Sequence, residues 1–87
     1  MFYTYVLYSI KHDHIYIGQT NNLEVRLQEH NSGICKSTKH YIPFQVIYYE
    51  EFQTRSESMK REKELKSHKG RDFIRALLNG GVRQLPD

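Results

Sequence analysis

The stretch from His14 to His30, HIYIGQTNNLEVRLQEH, constrains the fold more than any other part of the 87-residue chain. It begins with the β-branched and aromatic residues of a strand, and Gly18 is predicted to end that strand where a backbone or ligand can come close. An Asn or Thr then caps a helix from about Leu23 to Asn31, and Gly33 is placed to terminate it. The stretch therefore predicts a strand followed directly by a helix.

Four residues of this helix share one narrow arc, because each residue advances the helical face by about 100°. They are Leu23, Arg26, Leu27 and His30. If the leucines face the core, Arg26 and His30 lie beside them and not out in solvent. A guanidinium held there by a rigid scaffold is suited to gripping a phosphate, and His30 can supply a second donor or a base.

The tripeptide at 16–18, Tyr-Ile-Gly, is followed by Arg26 after eight residues and by His30 after four more. This spacing resembles the second half of the GIY-YIG nuclease signature. Tyr5, eleven residues before Tyr16, matches the last residue of the first half, whose Gly and Ile are replaced here. The resemblance extends over roughly residues 3–78 and is to small stand-alone bacterial members, UPF0213- or URI-domain-like.

Strand patterns lie on both sides of this stretch. In the segment from Phe2 to Ser9, the residues that point to one face of the strand and those that point to the other are both apolar or aromatic. This pattern predicts a central strand covered on both faces. A polar turn at 11–14 makes a hairpin that brings Tyr5 near Tyr16. Pro43 opens a third strand, from Phe44 to Phe52.

Two further helices are predicted in the second half of the chain. Thr54 to Glu57 form a capping box for a helix that runs to about Lys66. Residues 68–71 interrupt the pattern at Gly70, and a last helix spans about Arg71 to Asn79 with an apolar stripe that faces the core. Gly80-Gly81 is predicted to stop that helix, and the remaining residues to form a loose tail.

The expected fold class is α/β (α+β): a small three-stranded, mainly antiparallel sheet flanked by helices, in the order β-β-α-β-α-α. This order matches the small α/β core that the resemblance implies. Residues 1–79 are assigned to the GIY-YIG nuclease-like domain, and residues 80–87 to a flexible C-terminal tail.

Glu62 is the candidate metal ligand. With Met59 and Leu65 taken as the apolar positions, helical spacing puts Glu62 between them on the inward arc, where a carboxylate must be paired or bind a metal. Spacing alone favours a core salt bridge, for instance with Arg26. The resemblance instead implies that Glu62 holds one divalent ion, Mg²⁺ or Mn²⁺.

The resemblance also implies a catalytic role for Tyr5, Tyr16, Arg26 and His30. One of the two tyrosines helps deprotonate the attacking water, and the sequence does not determine which one. A free tyrosine has a pKa near 10, which nearby positive charge from Arg26 or the metal could lower. His30 is either a second proton relay or the partner that orients Tyr5.

DNA is the partner that the resemblance implies, and the basic charge is unevenly distributed. Residues 1–53 carry a net charge of −1 and residues 54–87 a net charge of +4. This distribution fits a polyanion partner, although the charge run alone favours a solvated helical face. Basic side chains in the loop at 32–42 and in the C-terminal half are candidate nucleic-acid contacts. They are Lys36, Lys39, His40, Lys66, Lys69 and Arg71.

Three functions are compatible with the sequence. The first is a metal-dependent DNA endonuclease in repair, recombination or processing, selective for single strands or branched structures because so small a domain has little surface for reading a long sequence. The second is a nucleic-acid-binding module with little activity, and the third is a protein-interaction domain. The chain has a single cysteine, Cys35, and no apolar run that could span a bilayer, so a cytoplasmic setting without membrane contact is expected. Its oligomeric state stays open.

Overall fold

Three antiparallel strands form the sheet in the order β2-β1-β3. They are β1 (Phe2–Ser9), β2 (His14–Thr20) and β3 (Gln45–Phe52). The structure, a computed structural model, describes residues 1–81. β1 lies in the centre, and four consecutive residues, Thr4 to Leu7, are each at most 1% exposed. The prediction of a central strand covered on both faces is therefore confirmed.

Gly18 does not end β2, which continues to Thr20. In the ladder Gly18 stands opposite Tyr5. The prediction that the strand stops at Gly18 is wrong because the glycine serves a close approach within the sheet and not a turn. The expectation that the hairpin brings Tyr5 near Tyr16 is confirmed, since their ring centroids are 6.3 Å apart.

Helix α1 (Leu23–Asn31) has the predicted bounds. The Asn22 side chain accepts a hydrogen bond from the Val25 backbone N–H, which satisfies one of the free donors of the first turn. Gly33 follows the helix with φ of +86°, a conformation that favours glycine. The leucines of α1 pack against a core cluster that contains Tyr5, Leu7 and Phe44, on one face of the sheet.

Helix α2 (Arg55–Leu65) begins with the predicted capping box between Thr54 and Glu57. Its buried positions are Ser58 and Leu65, whereas Met59 is 52% exposed. The choice of Met59 as an inward position is therefore wrong. The inward position is Ser58 instead. The Thr4 hydroxyl donates a hydrogen bond to the Ser58 carbonyl at 2.6 Å, which holds α2 so close to β1 that a small side chain fits at position 58.

Helix α3 (His68–Ala76) begins three residues earlier than predicted. The Ser67 hydroxyl caps it by accepting from the Gly70 N–H at 3.2 Å. Gly70 is thus inside the first turn, where its backbone lies against the Leu65 carbonyl, and it does not interrupt the helix.

The end of α3 also differs from the prediction. A π-helical segment, Leu77–Gly81, continues it through the two glycines that are predicted to stop it. The apolar stripe of α3 is buried at Ile74, but Phe73 is 39% exposed and packs edge-on against Tyr48. The predicted tail at 82–87 lies outside the described residues.

The two helical layers lie on opposite faces of the sheet. Val6 and Ile17 pack with Leu65 of α2 and Ile74 of α3. Tyr5, the neighbour of Val6 in the strand, belongs to the cluster under α1, as the alternation of side chains along a strand requires. Within residues 1–81, no helix is long and apolar enough to cross a membrane.

Candidate active site

The Tyr5 hydroxyl lies directly over Gly18 on the neighbouring strand. A β-carbon at position 18 would lie 2.6 Å from the Tyr5 oxygen and 3.1 Å from the Tyr16 ring, both closer than van der Waals contact allows. Glycine is therefore the residue that lets the Tyr5 side chain reach across β2. This arrangement fixes the phenol hydroxyl over the edge strand of the sheet.

His30 lies next to that hydroxyl and is fully buried. Its Nε2 is 3.2 Å from the Tyr5 oxygen, and its Nδ1 is 2.9 Å from the Thr38 hydroxyl oxygen. The Thr38 hydroxyl also lies 3.4 Å from the Cys35 carbonyl oxygen, to which it can donate. A continuous chain of hydrogen bonds therefore runs from Tyr5 through His30 into the loop that follows α1.

That loop, residues 32–44, is attached to the rest of the molecule at two further points. The Tyr41 ring stacks on His14, with centroids 3.7 Å apart and planes at 7°. The Asn31 side chain accepts from the Phe44 N–H at 2.6 Å and donates to the Phe44 carbonyl at 3.0 Å. These contacts, together with the short 3₁₀ helix Lys39–Tyr41 that begins directly after Thr38, hold Thr38 against His30.

Tyr16 lies on the other side of His30. Their ring centroids are 4.7 Å apart, and the Tyr16 side chain is half-buried. The structure thus brings both motif tyrosines and His30 into contact, as the resemblance implied, and it leaves Tyr16 the more accessible of the two phenols.

Arg26 completes this cluster from α1. Its guanidinium donates to the Glu29 carboxylate at 2.9 Å, and the side chain remains 34% exposed. The guanidinium also interacts with the Tyr5 hydroxyl, which together with Glu29 keeps the arginine protonated by raising its pKa. Since an arginine has five N–H donors, others stay available for an anion at the surface.

The electrostatics of the cluster are dominated by burial. Burial raises the pKa of Tyr5 to about 12, although Arg26 acts in the opposite direction. Arg26 acts on the pKa of Tyr5 in the predicted downward direction, but the net shift is upward because loss of hydration outweighs the guanidinium. Burial also lowers the pKa of His30, with Arg26 acting in the same direction, so the imidazole is neutral at pH 7.

Glu62 lies on the sheet-facing side of α2, between the buried positions Ser58 and Leu65. Its carboxylate pairs with Lys66 at 2.7 Å and is 22% exposed. The suggested salt bridge with Arg26 is wrong, because Arg26 pairs with Glu29 on its own helix. α2 packs on the face of the sheet opposite to α1, so Glu62 belongs to a different layer from the Tyr5 cluster.

The six candidate DNA contacts are all exposed but fall into two groups. The loop group, Lys36, Lys39 and His40, flanks the buried Thr38. The corner group, Lys66, Lys69 and Arg71, lies where α2 meets α3. Lys66 is engaged with Glu62.

Thr38 and Asn31 are functional candidates that sequence reasoning missed. Thr38 is one of several small hydroxyl residues in the loop, and no periodicity tells which of them faces inward. Asn31 ends α1, and the helical pattern assigns it no further role. A local signal was present only for Asn31, since an asparagine at a helix end commonly bonds to nearby backbone.

A buried phenol–imidazole pair beside an arginine, on a three-stranded sheet between two helical layers, defines a class of small α+β domains. Residues 1–75 match the GIY-YIG catalytic domain family. The chain belongs to this family, which is a nuclease superfamily whose members act on DNA and generally use a divalent metal ion.

UPF0213 proteins are among the relatives of the chain. One from Staphylococcus saprophyticus is 34% identical over 79 residues, which cover 90% of this chain and 95% of the relative. One from Haloquadratum walsbyi is 37% identical over 67 residues, covering 76% of this chain and 74% of the relative. The solution NMR structure of a UPF0213 protein from Bacillus halodurans superposes with a TM-score of 0.52 at 30% identity, covering 92% of this chain and 88% of that one. The name UPF0213 states no activity or substrate.

Proposed function

We propose that this protein is a metal-dependent DNA endonuclease that hydrolyses phosphodiester bonds, with single-stranded or branched DNA as its preferred substrate. One observation carries the proposal: the fully buried Tyr5–His30 pair, with the partly exposed Arg26 guanidinium beside it. A buried imidazole with a lowered pKa is poised to accept a proton at neutral pH. A module that only binds DNA has no use for such a group.

Arg26 binds the scissile phosphate in this mechanism. It can direct free N–H groups toward two phosphate oxygens while Glu29 holds the guanidinium in place. The positive charge is near the reacting group before the substrate arrives, so little reorganisation is needed when negative charge develops at phosphorus.

Tyr5 and His30 deprotonate the water. The Tyr5 oxygen takes a proton from water while the phenol passes its own proton to His30 Nε2, which yields an imidazolium and a hydroxide. The hydroxide bonds to phosphorus as the bond from phosphorus to the leaving oxygen breaks. Tyr16, more accessible and in contact with His30, contributes to the position of the water.

Glu62 is the residue that would hold the divalent ion. Because Glu62 and Arg26 lie in layers on opposite faces of the sheet, the DNA would have to pass along the edge strand β2 to reach both. In residues 1–81 no three His, Cys, Asp or Glu side chains cluster as a ligand set, and a single carboxylate completed by water and phosphate oxygens fits Mg²⁺ or Mn²⁺ better than zinc. When bound, such an ion supplies charge neutralisation at phosphorus and at the leaving oxygen. The pair with Lys66 opposes this only weakly, because an exposed i,i+4 pair contributes about 0.3–0.5 kcal/mol.

Cleavage of labelled single-stranded, duplex and branched DNA tests the proposal, with Mg²⁺, Mn²⁺ or EDTA present. Cleavage should require the metal and should be lost in Arg26→Ala, Tyr5→Phe and Glu62→Ala. Matched controls are Arg75→Ala, which removes an arginine on α3, and Glu64→Ala, which removes an exposed carboxylate from α2. Both should retain activity.

Absence of cleavage on every substrate would refute the enzyme proposal. Salt-sensitive DNA binding that survives Glu62→Ala would then identify the protein as a nucleic-acid-binding module.

A further inference from the structure

The Thr38 hydroxyl is buried, at 1% exposure, on the side of His30 away from Tyr5. The ring of His30 therefore has one partner at each nitrogen, and the two partners are both hydroxyl groups. A neutral imidazole carries a proton on one nitrogen only. The direction of every hydrogen bond in the chain then depends on which nitrogen carries it.

In the first arrangement, Nδ1–H donates to Thr38 and Nε2 accepts from Tyr5. Thr38 then directs its own proton to the Cys35 carbonyl, at 3.4 Å. Arg26, which can only donate, cannot compete with Nε2 for the Tyr5 proton. Every proton in this arrangement has an acceptor.

In the second arrangement, Thr38 donates to Nδ1 and Nε2–H donates to the Tyr5 oxygen. The Tyr5 hydroxyl proton then has to point away from His30. Its other charged neighbour is Arg26, a donor, and Tyr5 makes no other hydrogen bond in the part of the chain that the structure describes. The Thr38 hydroxyl also gives up its bond to the Cys35 carbonyl, because its proton now points to Nδ1. A buried hydroxyl left without an acceptor is costly, so the first arrangement, in which Thr38 accepts from Nδ1–H, prevails.

We propose that Thr38 is a positioning residue that holds His30 in the Nδ1–H tautomer, so that the Nε2 lone pair faces Tyr5. This inference rests on the proposed nuclease function for its catalytic consequence. In the proposed mechanism the proton of Tyr5 travels to Nε2, and it can do so only while that nitrogen is unprotonated. Thr38 is buried and acts through its hydrogen bond with His30.

The loop around Thr38 supports the assignment. Tyr41 stacks on His14, and Phe44 is bonded twice to Asn31. The backbone N–H of Thr38 donates to the Cys35 carbonyl at 3.1 Å. The Thr38 oxygen is thus held by contacts on both sides of it in sequence and does not depend on His30 for its place.

Nitrogen NMR of the histidine side chains tests the tautomer directly. The protein is labelled with ¹⁵N-histidine, and the His30 signals are assigned as those missing from His30→Gln. The wild-type protein should show a protonated Nδ1 and an unprotonated Nε2 at pH 7.5. Protonation on Nε2 instead overturns the proposal, and this readout does not need nuclease activity.

Thr38→Val and Thr38→Ser test the role of the hydroxyl. Valine has the same shape without the acceptor, so Nδ1–H becomes a buried donor without a partner, at a cost like that of an unpaired Tyr5 hydroxyl. The Nε2–H tautomer should therefore become populated, whereas serine should preserve the wild-type spectrum. On the DNA substrate, Thr38→Val should lower kcat about 10²-fold, within the range of general-base effects, with KM changed less than about twofold. Thr38→Ser should restore most of kcat.

The outcomes separate this proposal from the proposed function. A wild-type tautomer in Thr38→Val, or a fall in kcat without a change of tautomer, overturns the role of Thr38. The predicted tautomer shift in a protein that cleaves no DNA leaves the positioning role intact and refutes the nuclease. Circular dichroism and thermal denaturation establish that each variant is folded.

Discussion

At the scale of single residues, Tyr5 experiences two opposed effects. Burial removes the water that would stabilise a phenolate, and Arg26 supplies positive charge that favours it; burial prevails, and the pKa is about 12. At pH 7 only about one molecule in 10⁵ carries a phenolate. Tyr5 therefore cannot act as a preformed base and needs an acceptor for its own proton during the reaction, which is the position that His30 occupies.

Stability should depend on the protonation of His30. Its pKa is lowered in the folded protein, so between that value and the ordinary value of about 6.5 the unfolded chain binds a proton that the folded chain does not. The free energy of unfolding should be highest above pH 6.5 and fall as the pH drops through this window. Urea denaturation at several pH values from 7.5 to 5 measures it.

The variant His30→Gln serves as the control for this dependence. It should lose the slope in that window, and an unchanged slope would mean that another group is responsible. Asp13 and Glu50 also have lowered pKa values, from their hydrogen bonds and, for Glu50, against the opposing effect of burial. Their contribution is lost only at lower pH, below about 4.5, so the two effects are separable.

Gly18→Ala should abolish activity at a modest cost in stability. The added methyl group collides with the Tyr5 hydroxyl and displaces it from His30, and overpacking of this kind costs about 1–3 kcal/mol. Cleavage rates and thermal denaturation measure both effects. The matched control is Ser67→Ala, which loses the cap of α3 on the opposite face at a cost of about 1 kcal/mol. Equal losses of activity in the two variants would contradict the specific role of Gly18.

At the scale of elements, the corner between α2 and α3 depends on Gly70. A methyl group there would overlap the backbone carbonyls of Glu64 and Leu65, which cannot move aside as a flexible side chain does. Gly70→Ala should destabilise the protein by about 3 kcal/mol, a fall in Tm of about 12 °C or more for a domain of this size. Lys69→Ala, at the neighbouring exposed position, should leave Tm nearly unchanged, and a similar fall in both would point to a different cause.

The same two glycines show where sequence reasoning reaches its limit. The local pattern predicts a break in an element at both Gly18 and Gly70, because a glycine in a strand or helix interior is locally unfavourable. Both instead lie inside an element at a point where another group approaches closely. The local pattern predicts a close approach at Gly18, but it does not identify the Tyr5 side chain as the group that approaches, because that contact joins residues far apart in sequence.

Helices and strands with a periodic pattern are predicted well, because their signals are local in the sequence. The bounds of α1, the capping box of α2 and the central place of β1 follow from local spacing and are confirmed. The neighbourhood of Tyr5, Tyr16, Arg26 and His30 follows from the resemblance. Thr38 could not be identified from the sequence, because a loop has no periodicity that would show which of its residues face inward. Only its hydrogen bond with His30 distinguishes it from the other hydroxyl residues of the loop.

At the scale of the whole molecule, the sheet separates the basic residues into two surfaces. The loop group adjoins the Tyr5 cluster through Thr38, whereas the corner group lies between α2 and α3 on the other face. If DNA is bound at the Tyr5 cluster, Lys36→Ala with Lys39→Ala should weaken binding and reduce the salt slope by about 2, roughly one for each phosphate that is no longer neutralised. Fluorescence anisotropy at several salt concentrations measures this slope.

Lys69→Ala with Arg71→Ala is the matched control, because it removes the same charge from the corner group. It should change the salt slope much less. A larger effect of the corner variant would place the DNA on the α2–α3 surface and would separate binding from the Tyr5 cluster.

The strand order has a consequence for synthesis of the chain. β1 precedes both of its partners, and its pairing with β3 joins residues as far apart as Phe2 and Phe52. Until β3 emerges from the ribosome, β1 has one unpaired edge along an apolar segment, the kind of edge through which nascent chains associate. The closing of that edge, and with it the assembly of Tyr5, Asn31 and Phe44, waits for more than half of the protein to be made.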